Sequence, residues 1–150
     1  MQVTVRFELP RDAMSIPVLR RLCGRSLEVI GAEQDVIDDV ELALTEACAN
    51  VLHHVDRGSH FEVVVGFDEE RAFLDVIDHG PGFDPDDLTS AGPDPYAEGG
   101  RGVQLMRELM DSVRFDSVTG SGTTVHLEKQ LRWRPEAPIH RLAPQRGSAG

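Results

Sequence analysis

The sequence predicts a single α+β domain, and three observations lead to that fold class. The chain has 150 residues, of which 40% are hydrophobic, enough for one core and too few for two full-sized ones. Stretches with alternating apolar and polar residues, typical of strands, occur beside longer stretches of helical periodicity. Their order along the chain is strand, two helices, two strands, helix, two strands.

The N-terminal third predicts one strand and two helices. Apolar and polar residues alternate over residues 2–9, which indicates a strand. A helix is expected over residues 15–30, with Ser15 as its cap and Gly31 just past its end. A longer helix is expected over residues 35–55, because its apolar residues form one inward stripe: Ile37, Val40, Ala43, Leu44, Ala47, Cys48 and Val51.

The remainder of the chain predicts a hairpin, a long loop, a helix and two more strands. Their ranges are 61–67 and 72–78 for the hairpin, 79–100 for the loop, 101–110 for the helix, and 113–118 and 123–128 for the last strands. The loop is rich in glycine and proline and has almost no periodicity. Loops of that length are usually functional or disordered.

The composition changes after Gln130, which divides the chain into a domain over residues 1–130 and a tail over residues 131–150. The tail is rich in arginine and proline and ends in Gly-Ser-Ala-Gly. Such a composition favours disorder over a packed core. We therefore expect the tail to be largely disordered.

Charge and hydropathy exclude several classes of function. The formal net charge of -11 argues against binding to duplex nucleic acid or to an anionic membrane surface, both of which require basic side chains. No apolar run approaches the roughly 20 residues that span a bilayer, and the first residues do not resemble a signal peptide. A cytoplasmic protein is expected, with Cys23 and Cys48 as buried, reduced thiols.

The second predicted helix carries two polar residues that can address one point in space. Glu46 and Asn50 lie four residues apart and therefore project from nearly the same helical face. An asparagine oxygen is a suitable Mg²⁺ ligand, and a glutamate can accept the proton of an attacking hydroxyl or water. Taken alone, the pair is equally compatible with two polar residues facing solvent.

Asp78 stands at the end of an apolar strand and enters a Gly-Pro-Gly turn. A carboxylate there can accept a hydrogen bond from an exocyclic amine such as that of adenine, while Gly80 and Gly82 allow the backbone to approach the ring closely. An aspartate that forms a turn or caps a helix explains the local pattern equally well.

A glycine-rich segment opens the third predicted helix. Gly100 and Gly102 flank Arg101, so free backbone N–H groups and the helix dipole can meet a phosphate there. Arg101 adds a full positive charge. Such a helix start is a weak indication by itself, and it lacks the lysine of a Walker motif.

These segments, in this order, resemble the motifs of the GHKL ATPase superfamily over about residues 2–130. Four segments carry the resemblance: Thr45-Glu46-Ala47-Cys48-Ala49-Asn50 to the N box, Asp78-His79-Gly80-Pro81-Gly82 to the DxGxG box, Gly100-Arg101-Gly102-Val103-Gln104-Leu105 to the second glycine box, and Gly122-Thr123-Thr124 to the terminal Gly-Thr pair. In particular, the chain is similar to the small bacterial anti-sigma-factor serine kinases. The resemblance implies a two-layer Bergerat fold, a mixed β-sheet with helices on one face.

The resemblance also implies a role for each motif residue. Those roles are Glu46 as the base, Asn50 on Mg²⁺, Asp78 on adenine, Gly80 and Gly82 in the adenine turn, Gly100 and Gly102 at the phosphates with Arg101 beside them, and Thr123 next to adenine. ATP and Mg²⁺ are the implied cofactors. The loop between the two glycine boxes departs from the family pattern, because it contains no lysine and is rich in proline and aspartate.

The implied function is an anti-sigma factor that sequesters a sigma factor and phosphorylates a serine on an anti-anti-sigma antagonist. Arg20 corresponds to the place where related anti-sigma factors contact these partners, with Arg21 as an equal candidate, and a homodimer is expected by the same resemblance. A non-catalytic module that regulates a partner by sequestration alone is the main alternative. A detached ATPase half of a histidine kinase is a third hypothesis, which the absence of a dimerisation helix with a phospho-acceptor histidine disfavours.

Overall fold

A computed structural model describes residues 1–54, 60–78, 100–118 and 122–142 of the protein. Within them the strands are β1 (Val3–Pro10), β2 (His60–Phe67), β3 (Arg71–Asp78), β4 (Ser112–Val118) and β5 (Gly122–Gln130), and the helices are α1 (Ser15–Ile30), α2 (Gln34–His54), α3 (Gly100–Leu109) and the short α4 (Ile139–Leu142). Every strand and helix expected from the sequence is present, and only α4 was not expected. The predicted loop lies outside the described residues, except that Gly100 begins α3.

The five strands form one sheet in the order β1-β2-β3-β5-β4, with helices on one face. The α+β fold class is confirmed, but the expectation of a mixed sheet is wrong for the described strands, because all four pairings are antiparallel. The connections explain why. The two helices between β1 and β2 return the chain to the end where β1 finished, so β2 runs in the opposite direction. β3 and β4 do run in the same direction, but β5 lies between them.

The hydrophobic core lies between the helices and one face of the sheet. Alternate residues of β3 show the division, since Leu74 and Val76 are fully buried whereas Phe73 is 38% exposed. Leu19 and Leu27 of α1 complete the same core, as the 3.6-residue period of an amphipathic helix requires. On the other face of the sheet, Arg6 of β1 pairs with Glu62 of β2, and the His126 ring of β5 lies within hydrogen-bonding distance of Asp75 on β3.

The start of α1 differs from the expectation in its cap. Ser15 is the first helical residue, and Met14 precedes it without a capping side-chain hydrogen bond. The Ser15 hydroxyl instead donates to the carbonyl oxygen of Pro10 at 2.8 Å, and Asp12 accepts from the Met14 backbone N–H at 2.8 Å. The Ser15 hydroxyl therefore links the start of α1 to the end of β1.

The end of α1 agrees with the expectation. Gly31 follows the helix with φ +99° and donates to the carbonyl oxygen of Glu28. This left-handed conformation is the usual reason for glycine after a helix.

The expectation of a disordered tail is wrong for residues 131–142, which we call the C-terminal segment. Leu131, Ala137 and Ile139 are buried, and the Trp133 indole donates to the carbonyl oxygen of Glu69 at 2.7 Å. The arginines and prolines suggested disorder, whereas the few apolar residues between them provide the packing. Residues 143–150 lie outside the described part of the chain.

The C-terminal segment covers the turn between α1 and α2. The backbone N–H of Arg134 donates to the carbonyl oxygen of Gly31, and that of Glu33 donates to Arg132. Ala137 lies so close that a Cβ on Gly31 would be 2.3 Å from its methyl carbon. The turn and the segment therefore form one packed unit.

Cys23 and Cys48 are buried in the core as free thiols, as expected. Burial raises the pKa of each thiol from 9.0 to about 12, with a smaller contribution from Glu41 at Cys23 and from Cys23 at Cys48. Within the described ranges, the helices are too short or too polar to cross a membrane.

Candidate functional site

The C-terminal half of α2 presents Glu46 and Asn50 on one face. Asn50 is 8% exposed, whereas Glu46 is half-buried. The Asn50 Nδ2 atom is fully buried and has no hydrogen-bond partner among the described residues. Because an unsatisfied buried amide is costly, such a group is a reason to look for a ligand at this position.

The N-terminal turn of α3 approaches this face at Gly102. A Cβ on Gly102 would lie 2.8 Å from Glu46 Oε2 and 3.9 Å from Asn50 Oδ1. A methyl group at position 102 would therefore displace the Glu46 carboxylate. The absence of a side chain brings the backbone of the α3 start, where N–H groups lack intrahelical acceptors, next to the carboxylate and the amide.

Asp78 and Thr123 form the second part of the candidate site. They are direct cross-strand partners on β3 and β5, and they are 1% and 4% exposed. The hydroxyl of Thr123 lies 3.3 Å from that of Ser117 on β4. The three side chains form a polar row across three strands at the end of an otherwise apolar face.

Arg11 joins the two parts, although it belongs to none of the sequence motifs. Its Nη1 atom donates to Asp78 Oδ1 at 2.9 Å, and its Nη2 atom donates to the carbonyl oxygen of Val51 at 2.8 Å. The arginine side chain is 8% exposed. An arginine directly after a strand whose last residue is proline carries no motif, so no local pattern indicated this role.

The structure brings together most of the residues expected at the site. Glu46, Asn50 and Gly102 meet directly, and Asp78 and Thr123 lie side by side on neighbouring strands. Gly100 begins α3 and Arg101, which follows it, is exposed. The predicted positions Gly80 and Gly82 lie outside the described residues.

The donor set fits a magnesium nucleotide. Mg²⁺ is typically bound by one or two protein oxygens together with substrate phosphates and water. The Oδ1 atom of Asn50 in α2 is one such oxygen, and it lies near the start of α3. The described residues contain no cluster of three or more histidine, cysteine, aspartate or glutamate side chains suited to a metal.

Comparison with known families and proteins identifies the family of the chain. The family model of the histidine kinase-like ATPase domain matches residues 9–129. The chain belongs to this family. The match includes all the motif residues of the candidate site and ends one residue before Gln130.

Curated relatives of this histidine kinase-like ATPase domain include serine-protein kinases. The serine-protein kinase RsbW of Bacillus subtilis (strain 168) is 31% identical over 138 residues, which cover 85% of both chains. RsbW of Bacillus cereus (strain Q1) is 27% identical with the same coverage.

Solved structures show the same fold. A Mycobacterium tuberculosis structure that comprises RsbU and RsbW domains matches 89% of this chain with a TM-score of 0.66 and 20% identity. This chain covers 33% of that longer one. The histidine kinase domain of a blue-light activated histidine kinase from Erythrobacter litoralis matches 82% of this chain and 62% of its own, with a TM-score of 0.51 and 20% identity.

Proposed function

We propose that this protein is an ATP-dependent serine kinase that also acts as an anti-sigma factor. It sequesters a sigma factor and phosphorylates a serine on an anti-anti-sigma antagonist. The observation that carries the proposal is the convergence of Glu46 and Asn50 on the glycine start of α3. The similarity to serine-protein kinases over 85% of the chain supports the choice of a serine acceptor.

In the proposed reaction, Glu46 is the catalytic residue that orients the acceptor hydroxyl and accepts its proton. The serine oxygen forms a bond to the γ-phosphorus of ATP, and the bond from that phosphorus to the bridging oxygen breaks to release ADP. The N–H groups at the start of α3, with Arg101 beside them, hold the phosphates. When bound at Asn50, Mg²⁺ offsets the charge of the phosphoryl oxygens.

Adenine is proposed to bind at the polar row on the sheet. Asp78 accepts a hydrogen bond from the exocyclic amine, and Thr123 lies beside the ring. Gly80, Gly82 and Gly100 complete the proposed nucleotide contacts by the positions that they occupy in the motifs. Positioning and electrostatics, which dominate phosphoryl transfer in general, supply most of the rate enhancement.

The partners follow from the same proposal. A sigma factor and its antagonist bind alternately at a contact surface on α1 that includes Arg20, with Arg21 as an equal candidate. A homodimer in the cytoplasm is the proposed working form. The acidic chain, with its net charge of -11, is unsuited to direct binding of nucleic acid or an anionic membrane.

The test is phosphate transfer to a candidate anti-anti-sigma protein with labelled ATP and Mg²⁺. Glu46→Gln keeps the size and removes the base, so transfer is expected to fall by about 100-fold or more, while ADP affinity stays within about twofold. Glu108→Gln is the matched control, because Glu108 is an exposed glutamate on the nearby helix α3.

Three results are decisive. Transfer that depends on Glu46 supports the kinase. Nucleotide binding without transfer overturns it and leaves a module that acts by sequestration. No nucleotide binding even at millimolar concentration overturns the nucleotide site altogether.

A further inference from the structure

We infer that Arg11 is a positioning residue for adenine recognition, which acts by fixing the carboxylate of Asp78. The inference rests on the proposed function in one respect, namely that Asp78 binds the adenine amine. It adds a residue outside the motifs to the site.

The position of Arg11 is determined at both ends of its guanidinium. One nitrogen donates to Asp78 and the other to the Val51 carbonyl oxygen, at 2.9 and 2.8 Å. The side chains of Arg11 and Asp78 are 8% and 1% exposed. A planar guanidinium held by two acceptors has little freedom to rotate, so the Asp78 oxygen that it binds is fixed in direction.

Val51 is a specific acceptor because of its place in α2. The Val51 carbonyl lies in the last described turn of α2, which runs to His54, and it accepts from Arg11 Nη2. The negative end of the helix dipole also favours a cation there. Asn50 immediately precedes Val51, so one guanidinium connects the proposed adenine acceptor to the helical turn that carries the proposed Mg²⁺ ligand.

A purely structural ion pair would stabilise the fold without affecting which base binds. The two roles can be separated by a ligand that lacks only the exocyclic amine. Purine riboside 5′-diphosphate differs from ADP by that group alone, so the ratio of the two dissociation constants measures the contact between the amine and Asp78. A hydrogen bond to a charged group corresponds to a ratio of about 10 to 100.

The experiment is calorimetric titration of ADP and purine riboside 5′-diphosphate into the full chain. Arg11→Met is expected to lower the ratio at least fivefold, and Asp78→Asn to lower it by a similar factor. Arg11→Met combined with Asp78→Asn is expected to differ little from Asp78→Asn alone, because the arginine acts through the aspartate. Arg6→Met is the matched control, since Arg6 lies on β1, the strand that Arg11 directly follows, and pairs with Glu62 across the outer face of the sheet.

An unchanged ratio in Arg11→Met overturns the inference, as does an equal loss of affinity for both ligands. If Arg11→Met does not fold, as judged by circular dichroism, Arg11→Lys replaces it. Lysine keeps the charge without the two-pronged geometry, so the ratio should fall at least twofold, and a wild-type ratio would be evidence against the positioning role.

The same titration separates this inference from the proposed function. Failure of the wild-type chain to bind ADP, or binding without discrimination between the two ligands, refutes the adenine site itself. Failure of phosphate transfer alone does not affect the result, because the measurement is of binding.

Discussion

Gly102 faces Glu46 so closely that a methyl group at position 102 would lie 2.8 Å from the Glu46 Oε2 atom. That atom is the end of a flexible side chain, which can move aside at small cost. The contact therefore constrains the position of the proposed base more than it constrains the fold. Stability and activity should separate at this residue.

Gly102→Ala is expected to leave the protein as stable as the wild type or slightly more stable, because alanine favours a helix over glycine by about 1 kcal/mol. Phosphate transfer should nevertheless fall by roughly 10-fold or more, since a displacement of about 1 Å in a catalytic group costs up to about 100-fold. Urea unfolding and a transfer assay on the same preparation check both parts. A stable variant with full activity would show that Glu46 needs no fixed position.

Gly31→Ala is expected to destabilise the protein strongly. The residue has φ +99°, and a methyl group there would meet the Ala137 backbone at 2.6 Å. A left-handed alanine costs about 1–2 kcal/mol and overpacking costs about 1–3 kcal/mol. The free energy of unfolding should therefore decrease by about 2–5 kcal/mol, as measured by urea titration.

Gly66→Ala is the control for that variant. The nearest atoms to a Cβ on Gly66 lie at 3.6 Å, an ordinary van der Waals distance, and its φ is not among the positive values. A change of less than about 1 kcal/mol is expected. Equal losses in the two variants would contradict the assignment of a special role to Gly31.

Ile139→Ala tests whether the C-terminal segment contributes to the core. Ile139 is 1% exposed, so its truncation should cost about 2–4 kcal/mol. Leu142→Ala is the matched control, because Leu142 is 56% exposed on the same short helix and should change stability by less than about 0.5 kcal/mol. Trp133, the only tryptophan, reports the transition by fluorescence. If Ile139→Ala and Leu142→Ala both changed stability by less than about 0.5 kcal/mol, the C-terminal segment would not contribute to the core.

The two buried thiols are expected to make the protein less stable in alkaline solution. Burial raises the pKa of Cys23 and of Cys48 to about 12, so both stay neutral in the folded chain while they ionise near pH 9 in the unfolded chain. The contribution of the two thiols to the free energy of unfolding is complete below pH 9 and is lost as the pH rises towards 12. At about pH 10 the loss is about 1.4 kcal/mol per thiol.

Urea unfolding at about pH 8 and about pH 10 measures this loss. The Cys23→Ala, Cys48→Ala double variant is the reference, because other groups titrate in the same interval. A wild type whose stability falls no faster than that of the double variant would contradict the prediction. In the folded wild type, both thiols should also react slowly with alkylating reagents, since the thiolate is the reactive form.

The sequence predicted the elements well because their apolar residues follow clear periods. The end of α1 was predicted correctly, since Gly31 marks it in the sequence. The motif residues were recognisable in the sequence, because each has a distinctive neighbour pattern, such as the glycines around Arg101, and their roles stay predictions. In both cases the information is local in the chain.

Arg11 and the C-terminal segment were not predicted because they depend on contacts between distant residues. Arg11 is 67 positions from Asp78, and Trp133 is 64 positions from Glu69. Local composition indicates a disordered tail around Trp133 and gives no indication of a partner for Arg11. Only the fold places these partners within hydrogen-bonding distance.

The cover that residues 131–142 form over Gly31 has a consequence for synthesis on the ribosome. The turn between α1 and α2 is translated about 100 residues before the segment that closes it, which at about 5–20 residues per second is a delay of roughly 5–20 s. By the end of that interval the nascent chain contains α1, α2 and the five described strands but still lacks the partners of Gly31 and Ala32. Completion of this end of the domain is therefore timed by translation itself.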